Sequence, residues 1–348
     1  MKYIKTIIII LTVVIVGGCK KNIEKDNKIS VKLEEQNTIG YQSGTDDEII
    51  GMMADMTVDA KGNIYVADYT FKKVKMYSQN GKLIKVFGKG EGRGPGEFKE
   101  IRSIDVDHDG NLYVADMSRG VVVIFDSTGT LVKEFKPKMR PAYILANSLN
   151  EVYFLGFWNH NTEKILSKLD LTKDDPETSE IRFCDRYIGS DSWEVANVGF
   201  TGTILKDNEK NIYYTSFYPY YIRKYSSNCT LNAEFKRDVS FYEPPYIKEK
   251  NPLYVAPRSG SQTSALINNK YILNKIFRVD EDAKKYIVYL DVWDKNTGEF
   301  LGIFSEKELG IELSRYMFAD EKGYLYNYID EPFPQIKKYK INIEYIKK

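Results

Sequence analysis

The chain has 348 residues, of which 43% are hydrophobic and 28% charged, and its formal net charge is +1. This composition excludes a disordered chain, which has too few apolar residues to form a core, and a protein with many membrane spans, which tolerates few charges. Lysine and arginine (50 residues) almost balance aspartate and glutamate (49 residues), so no overall positive field favours nucleic acid. We therefore predict no nucleic-acid partner.

The first predicted element is a short apolar segment at residues 6–16. Lys2 and Lys5 precede it, and its 11 residues are too few for a membrane-spanning helix, which needs about 20. The segment therefore predicts a signal peptide over residues 1–18. The sequence VGGC that follows, ending at Cys19, resembles the bacterial lipoprotein signal, which implies that Cys19 carries a palmitate-type lipid anchor. A cleaved secretory peptide with an incidental cysteine is the alternative.

Residues 19–48 are polar with little periodicity and predict a lipidated tether between the membrane and a folded domain over residues 49–348. Lys20 follows the cysteine, where many lipoproteins retained in the inner membrane have aspartate. The resemblance therefore implies an envelope lipoprotein of the outer membrane, in either leaflet.

An internal repeat decides the predicted fold. Val58–Phe87 aligns without a gap on Val106–Phe135, and both contain the pattern V-D-x-x-G-N-[IL]-Y-V-A-D. Alternating apolar runs separated by glycine turns, Asn80-Gly81 among them, predict antiparallel hairpins. Four such strands in about 50 residues form one blade of a β-propeller.

Weaker copies of the turn and its tyrosine continue to the end of the chain. We call this set the tyrosine column: Tyr65, Tyr113, Tyr153, Tyr213, Tyr271 and Tyr326. Its six members predict an all-β, six-bladed propeller of four-stranded antiparallel blades. A tyrosine here buries its ring between blades while its hydroxyl reaches a polar edge, so we predict a core role for the column.

The glycine-rich connector Phe87–Phe98 and the body of each repeat resemble the NHL-repeat propellers, although the proline that usually follows the connector phenylalanine is missing. With the lipoprotein signal in front, the chain resembles the six-bladed propeller lipoproteins of Bacteroidetes-type bacteria, a family of undefined role. The alternating segment Lys28–Leu33 predicts a strand that closes the ring beside Gln335–Ile343.

Propellers usually bind their ligands with the loops that join second to third strands and with those between blades. Aromatic residues recur in these predicted loops, and we select as ligand-binding candidates Tyr69, Trp158, Phe217, Tyr218, Tyr220 and Phe277. They predict a surface for a saccharide, a peptide or a protein partner, with inserts at Asp170–Phe200 and Arg237–Gln262 as its walls. The alternative is that these rings only roof the channel.

Four arginines are further candidates because they precede the tyrosine column by similar distances. Arg102 and Arg315 lie 11 residues before their tyrosines, and Arg140 and Arg258 lie 13 residues before theirs. All four then fall where innermost strands begin, near the channel mouth, where guanidinium groups could bind carboxylate or phosphate. The alternative is that they form salt bridges with residues such as Asp55 or Asp105.

The sequence contains no catalytic motif, and we predict no catalytic residues, no metal site and no cofactor. Asp105, Asp107 and Asp109 imitate a calcium loop, but the first repeat forms the same turn without the first and last of these aspartates. His108 and His160 are too few for a three-histidine zinc site. Cys184 and Cys229 could pair in an oxidising envelope, but two unpaired buried thiols are our expectation.

The function predicted from sequence is therefore a non-catalytic binding or scaffolding propeller of the cell envelope, attached to the membrane through its lipid. Its ligand would be a saccharide, a peptide or an outer-membrane protein. The first alternative is a propeller-type lyase or hydrolase that acts on an anionic saccharide, with calcium in the channel. A purely structural member of an outer-membrane complex is the other.

Overall fold

The computed structural model describes residues 26–137, 139–148, 151–158, 164–171, 181–186, 202–247, 255–280 and 284–347. Within these residues, six four-stranded antiparallel sheets form the blades of a propeller, as the six tyrosines predict. One two-stranded sheet and one four-residue helix are added to them. No helix among the described residues is long and apolar enough to cross a membrane.

The blades follow one another along the chain, and each starts with its innermost strand. Blade 1 contains β2 (Met53–Val58), β3 (Ile64–Asp68), β4 (Lys73–Tyr77) and β5 (Leu83–Phe87). Blade 2 contains β6 (Ile101–Val106), β7 (Leu112–Asp116), β8 (Val121–Phe125) and β9 (Leu131–Phe135). Blade 3 contains β10 (Met139–Ser148), β11 (Glu151–Trp158), β12 (Lys164–Asp170) and β13 (Ile181–Arg186).

The remaining blades have the same order. Blade 4 contains β14 (Thr203–Lys206), β15 (Ile212–Thr215), β16 (Ile222–Tyr225) and β17 (Leu231–Phe235). The small sheet β18 (Tyr246–Ile247) and β19 (Val255–Ala256) precedes blade 5, which contains β20 (Ser259–Ile267), β21 (Tyr271–Asp280), β22 (Lys285–Asp294) and β23 (Phe300–Ser305). Helix α1 (Glu306–Leu309) leads to blade 6, with β24 (Met317–Ala319), β25 (Tyr324–Ile329) and β26 (Gln335–Tyr345).

Blade 6 takes its outermost strand from the other end of the chain. Strand β1 (Ile29–Ile39) pairs antiparallel with β26, from Ile29 opposite Tyr345 to Ile39 opposite Ile336. The predicted pairing of Lys28–Leu33 with Gln335–Ile343 is thus present, and it closes the ring by joining the first and last described strands. Closure leaves each blade packed between two neighbours.

The hairpin between the first two strands is held by local hydrogen bonds, as blade 2 illustrates. Asp107 Oδ1 accepts from the backbone N of Asp109 (3.0 Å) and of Asn111 (2.9 Å), and Asp107 Oδ2 accepts from the Tyr113 hydroxyl (3.2 Å). These donors satisfy the carboxylate without a metal ion. Among the described residues, no group of three or more His, Cys, Asp or Glu could hold one.

The tyrosine column is buried in all six blades, with at most 5% of each residue exposed. In blades 4 and 6 the hydroxyl also donates to the aspartate six residues earlier, from Tyr213 to Asp207 (3.0 Å) and from Tyr326 to Asp320 (2.9 Å). The core role predicted for the column is confirmed.

The antiparallel order gives the ring two different faces. The hairpin face carries the tight turns between first and second strands and between third and fourth strands. The loop face carries the second-to-third loops and the longer connectors between blades, which include residues 40–52, 88–100, 236–247 and 306–316. Long connectors on one face of a rigid ring are the usual place for a ligand site.

Both predicted inserts are shorter than the sequence suggested. Asp170–Phe200 contains β13, the outermost strand of blade 3, and Arg237–Gln262 ends inside β20, the innermost strand of blade 5. Strand β13 was missed because residues 171–180 before it contain no glycine, unlike the turns with Gly81 and Gly129 in blades 1 and 2. Strand β20 was missed because the turn after it, Asn268-Asn269, lacks the Gly-Asn pair of the first two blades.

Cys184 and Cys229 form a disulfide, so the expectation of two free thiols was wrong. Cys184 lies on β13 of blade 3, and Cys229 lies in the turn between β16 and β17 of blade 4. Packing of neighbouring blades brings the two residues together although 45 positions separate them in sequence.

Candidate functional site

The candidate site is the channel mouth on the loop face, where the innermost strands begin. In blades 1, 2 and 3 the first strand pair has a register shift that inserts one extra residue, at Ala54, Arg102 and Ala142. Such a bulge redirects the side chain of the extra residue away from the regular pleat. Arg102 is the long, charged member of this set.

Arg315 occupies the equivalent position in blade 6, 11 residues before its tyrosine. Small residues stand at this level in three other blades, namely Ala54, Ala142 and Gly202. Blade 1 lies between blades 2 and 6 in the ring, and Ala54 is its residue at the position that corresponds to the two arginines. The blade between Arg102 and Arg315 therefore has a short side chain at their level.

The phenol of Tyr143, in blade 3, interacts electrostatically with both arginines. Burial raises the pKa of its phenol, and the positive charges of Arg102 and then Arg315 counteract that rise. Arg315 also lies near the adjacent tyrosine, with its guanidinium carbon 5.8 Å from the ring centroid of Tyr316. Two of the four arginines selected from sequence thus act on the charge state of the same phenol.

Neither guanidinium has an anionic partner among the described residues. Within the part of the chain that the structure describes, Arg102 and Arg315 form no ion pair and donate no hydrogen bond, and Arg315 is exposed whereas Arg102 is half-buried. Among the described residues these two arginines do not form the salt bridges that were the alternative, whereas Arg258 does form one, with Glu243 (3.7 Å). The two arginines are therefore available to a ligand.

Asp55 lies in the channel wall one level below the arginines. Its Oδ2 accepts hydrogen bonds from Ser103 Oγ (2.7 Å) and from the backbone N of Ile104 (2.9 Å), and its Oδ1 accepts from the backbone N of Met56 (2.9 Å). Burial raises the pKa of the Asp55 carboxyl to about 6. The residue is nevertheless not fully buried, so part of its surface faces the channel.

Asp105 and Lys206 form an ion pair at the next level toward the hairpin face. Lys206 Nζ of blade 4 is 2.6 Å from Asp105 Oδ2 of blade 2 and also donates to the carbonyl of Ala146 in blade 3. Asp105 further accepts from Thr57 Oγ1 of blade 1 (3.1 Å). One lysine thus links three blades and neutralises the charge of Asp105.

The segment that carries Arg315 is held in place by two buried side chains of blades 5 and 6. Asn327 Oδ1 accepts from the backbone N of Ser314 (2.8 Å), and Lys275 Nζ donates to the carbonyl of Leu313 (2.6 Å). Burial lowers the pKa of Lys275 to about 8. Sequence reasoning missed both residues because nothing in a strand pattern indicates which distant loop a polar side chain contacts.

Three of the selected aromatic residues are buried rather than exposed on the loop face. Phe217, Tyr220 and Phe277 are 5%, 8% and 1% exposed. Phe217 packs on Phe277 with ring centroids 5.9 Å apart, and a Cβ on Gly260 would approach its ring to 2.6 Å. Phe277 lies inside β21, because the β21–β22 hairpin is longer than the pattern predicts.

Tyr220 belongs to a buried polar network. Its hydroxyl donates to Asp291 Oδ2 (2.7 Å) and accepts from Trp293 Nε1 (3.0 Å). Arg237, from the predicted insert, binds both carboxylate oxygens of Asp291 at 2.9 Å. The network fixes the connector between blades 4 and 5 on the core of blade 5, which is a structural role.

The other aromatic candidates with described side chains lie at the rim of the loop face. The ring of Tyr69 lies 3.5 Å from Lys72 Nζ, measured to its centroid, and Tyr218 stacks on Tyr242 with centroids 5.9 Å apart. Arg258 is exposed and lies 3.7 Å from Glu243 Oε2.

Ligand binding stays a prediction for all of the candidates, and three of them have no described side chain. Cys19 lies outside the described residues. Arg140 and Trp158 lie in β10 and β11, but their side chains are not among those described.

Comparisons with known proteins agree with this architecture. The sequence profile of the DUF5128 family, described as 6-bladed β-propellers, matches residues 43–318. A structure from Bacteroides fragilis, of a protein thought to be exported, superposes with a TM-score of 0.62 at 11% identity and covers 92% of this chain and 96% of its own. A DUF4221 family member from Bacteroides vulgatus superposes with a TM-score of 0.61 at 9% identity, covering 92% and 99% of the two chains. No curated protein matches the sequence.

Proposed function

We propose, on the premise that the chain belongs to the DUF5128 family of 6-bladed β-propellers, that it is a non-catalytic binding protein of the cell envelope. Its ligand carries a carboxylate or phosphate group and enters the channel mouth on the loop face. Arg102 and Arg315 bind the anionic group, while Tyr143 and Tyr316 provide aromatic surface beside it. The ligand class is an anionic saccharide, a peptide or an acidic segment of a protein.

The observation that carries this proposal is the absence of an anionic partner for Arg102 and Arg315 within the described residues. The two arginines belong to different blades, yet the positive charge of each lowers the pKa of the Tyr143 phenol. Guanidinium groups that remain unpaired on a rigid wall lose little entropy when they bind a carboxylate or phosphate, and they can bind it through two parallel hydrogen bonds.

Location in the envelope, with an anchor at Cys19 in the outer membrane, is the second part of the proposal. It is supported by the lipoprotein-like sequence before Cys19 and by the disulfide between Cys184 and Cys229, because disulfides persist mainly in oxidising compartments. The superposition on a Bacteroides protein thought to be exported points the same way. Labelling with radioactive palmitate in cells, compared between the natural chain and Cys19→Ser, tests the anchor.

Ligand binding is tested with the folded domain and a panel of defined anions. The panel contains glucuronate, galacturonate oligomers, inorganic phosphate and acidic tripeptides, screened by thermal shift and measured by calorimetry. Arg102→Gln and Arg315→Gln should each weaken the binding of a panel member at least tenfold, because a charge-assisted hydrogen-bond pair is lost. Arg93→Gln, an exposed arginine of the loop-face connector, is the matched control and should bind normally.

Equal affinity of the natural chain and both arginine variants for every anion that binds would refute the site. The same samples, analysed by mass spectrometry for cleaved saccharide with and without calcium, test the lyase or hydrolase alternative. Turnover that survives both arginine substitutions would assign the activity elsewhere in the ring.

A further inference from the structure

Asp55 is a third charge of the candidate site that has no oppositely charged partner among the described residues. Its three hydrogen bonds, from Ser103, Ile104 and Met56, all come from neutral donors. No lysine or arginine of the described chain forms an ion pair with it. A carboxylate in a protein wall normally has a cation nearby, because water that would solvate the charge is largely excluded.

The register places Asp55 level with Ser103, the residue that follows Arg102. Asp55 pairs with Ala67 and Ser103 pairs with Ala115, which are equivalent positions of the repeat, so the two side chains stand at the same depth. Arg102 directly precedes Ser103 in the bulge. Tyr143 responds to the charges of Asp55, Arg102 and Arg315, so its phenol stands within range of all three.

The charges thus change sign with depth along the channel. Two cations lie at the mouth, and one anion lies at the level below. Still deeper, Asp105 is neutralised by Lys206 (2.6 Å), so that lysine is not available to Asp55. Asp105 faces Asp55 from the neighbouring strand and adds to the unfavourable environment of its carboxylate.

We propose that the ligand is zwitterionic: its anionic group binds Arg102 and Arg315, and an ammonium group on the same molecule reaches Asp55. This inference rests on the proposed function and narrows its ligand to amino carboxylates, such as an amino acid or a short peptide with free ends. One bound molecule then satisfies all three unpaired charges. Electrostatic complementarity of this kind selects among ligands more than it increases raw affinity.

The first experiment uses the natural chain and needs no variant. Affinities are measured at pH 7.5 by calorimetry or NMR titration for the amino acids from glycine and β-alanine to 6-aminohexanoate. Each is compared with the carboxylate of the same length that lacks the amine. We expect one chain length at which the amino acid binds at least tenfold more tightly than its matched carboxylate, because its length spans the distance from the arginines to Asp55.

Asp55→Asn tests the assignment of the lower charge. The variant keeps an oxygen for the donors of Ser103 and Ile104, and it should lose the preference for the amino acid while binding the plain carboxylate as well as before or better. Asp109→Asn is the matched control, because Asp109 is an exposed aspartate of the hairpin face. The control should keep the preference.

The outcomes separate the two proposals. If neither class of ligand binds in a way that depends on Arg102 and Arg315, the proposed function is wrong. If carboxylates bind through the arginines but no amine of any length improves affinity, the site stands and the zwitterion proposal is overturned. Binding of a plain carboxylate with uptake of one proton by Asp55 would overturn it as well, since the site would then neutralise Asp55 by protonation.

Discussion

Replacing Arg237 by methionine should destabilise the propeller strongly and in a pH-dependent way. Asp291 is fully buried, and each of its carboxylate oxygens accepts a charge-assisted hydrogen bond from Arg237. The Arg237 side chain is 17% exposed. Removing one partner of a buried ion pair costs about 3–5 kcal/mol. We take about 3 kcal/mol, because Arg237 is partly exposed and Tyr220 still donates to Asp291 in the variant.

The corresponding change in melting temperature follows from the unfolding entropy. At roughly 2.1 cal/mol/K per residue, a chain of this length unfolds with about 0.7 kcal/mol/K, so the expected decrease in Tm is about 4 °C at pH 7. Burial raises the pKa of Asp291, and loss of Arg237 raises it further. A carboxyl whose folded pKa is raised stabilises the fold below its unfolded pKa and loses that contribution as pH rises through the folded pKa. The defect should therefore shrink between pH 7 and pH 5.

Thermal unfolding followed by near-UV circular dichroism at both pH values measures this effect. Adding Asp291→Asn to Arg237→Met should recover most of the loss, since no buried charge remains. Lys99→Met, which removes a largely exposed pair with Glu91, is the control and should change Tm by less than about 1 °C. A variant that melts with the natural chain at pH 7, or that loses more stability on acidification, would refute this account of the network.

Three further outcomes are expected. Reduction of the Cys184–Cys229 disulfide should lower the free energy of unfolding by about 2–4 kcal/mol, measured in urea with and without reductant, and an unchanged midpoint would contradict the pairing. Asp55→Asn should flatten the dependence of Tm on pH between pH 4 and 7 and raise Tm at pH 8 by about 1–3 °C. The reason is that the folded pKa of about 6 lies above the unfolded value, so ionisation in the folded state costs stability. Removal of residues 26–39 should expose the edge of β26 and cause association detectable by light scattering; a stable monomer would show that β1 is dispensable for closure.

Local signals predicted most of the fold. The Gly-Asn and Asn-Gly turns define hairpins within a few residues, and the tyrosine column marks the second strand of every blade. Strand pairing and blade number therefore follow from short stretches of sequence. Ring closure by Lys28–Leu33 could also be predicted. The segment alternates as a strand does, but no strand next to it in sequence was predicted to pair with it.

The errors concern contacts between distant residues. Nothing near Cys184 indicates Cys229, because their distance depends on how blades 3 and 4 pack. Phe217, Tyr220 and Phe277 looked like loop residues because the sequence does not reveal how far a long hairpin continues. Arg102 and Arg315 could be selected because the repeat fixes their depth, whereas the absence of an anionic partner for them among the described residues depends on how the blades pack.

Strand β1 has a mechanical consequence. It begins at the hairpin face, with Ile29 opposite Tyr345, and runs to the loop face, so a membrane anchor preceding it would pull on the end farthest from the arginines. A pulling force along β1 would shear it against β26, so that the hydrogen bonds between the two strands bear the load together and do not break one after another. With such an anchor, the channel mouth would be directed away from the membrane. The β1–β26 pairing, which closes the ring, would also bear the mechanical load.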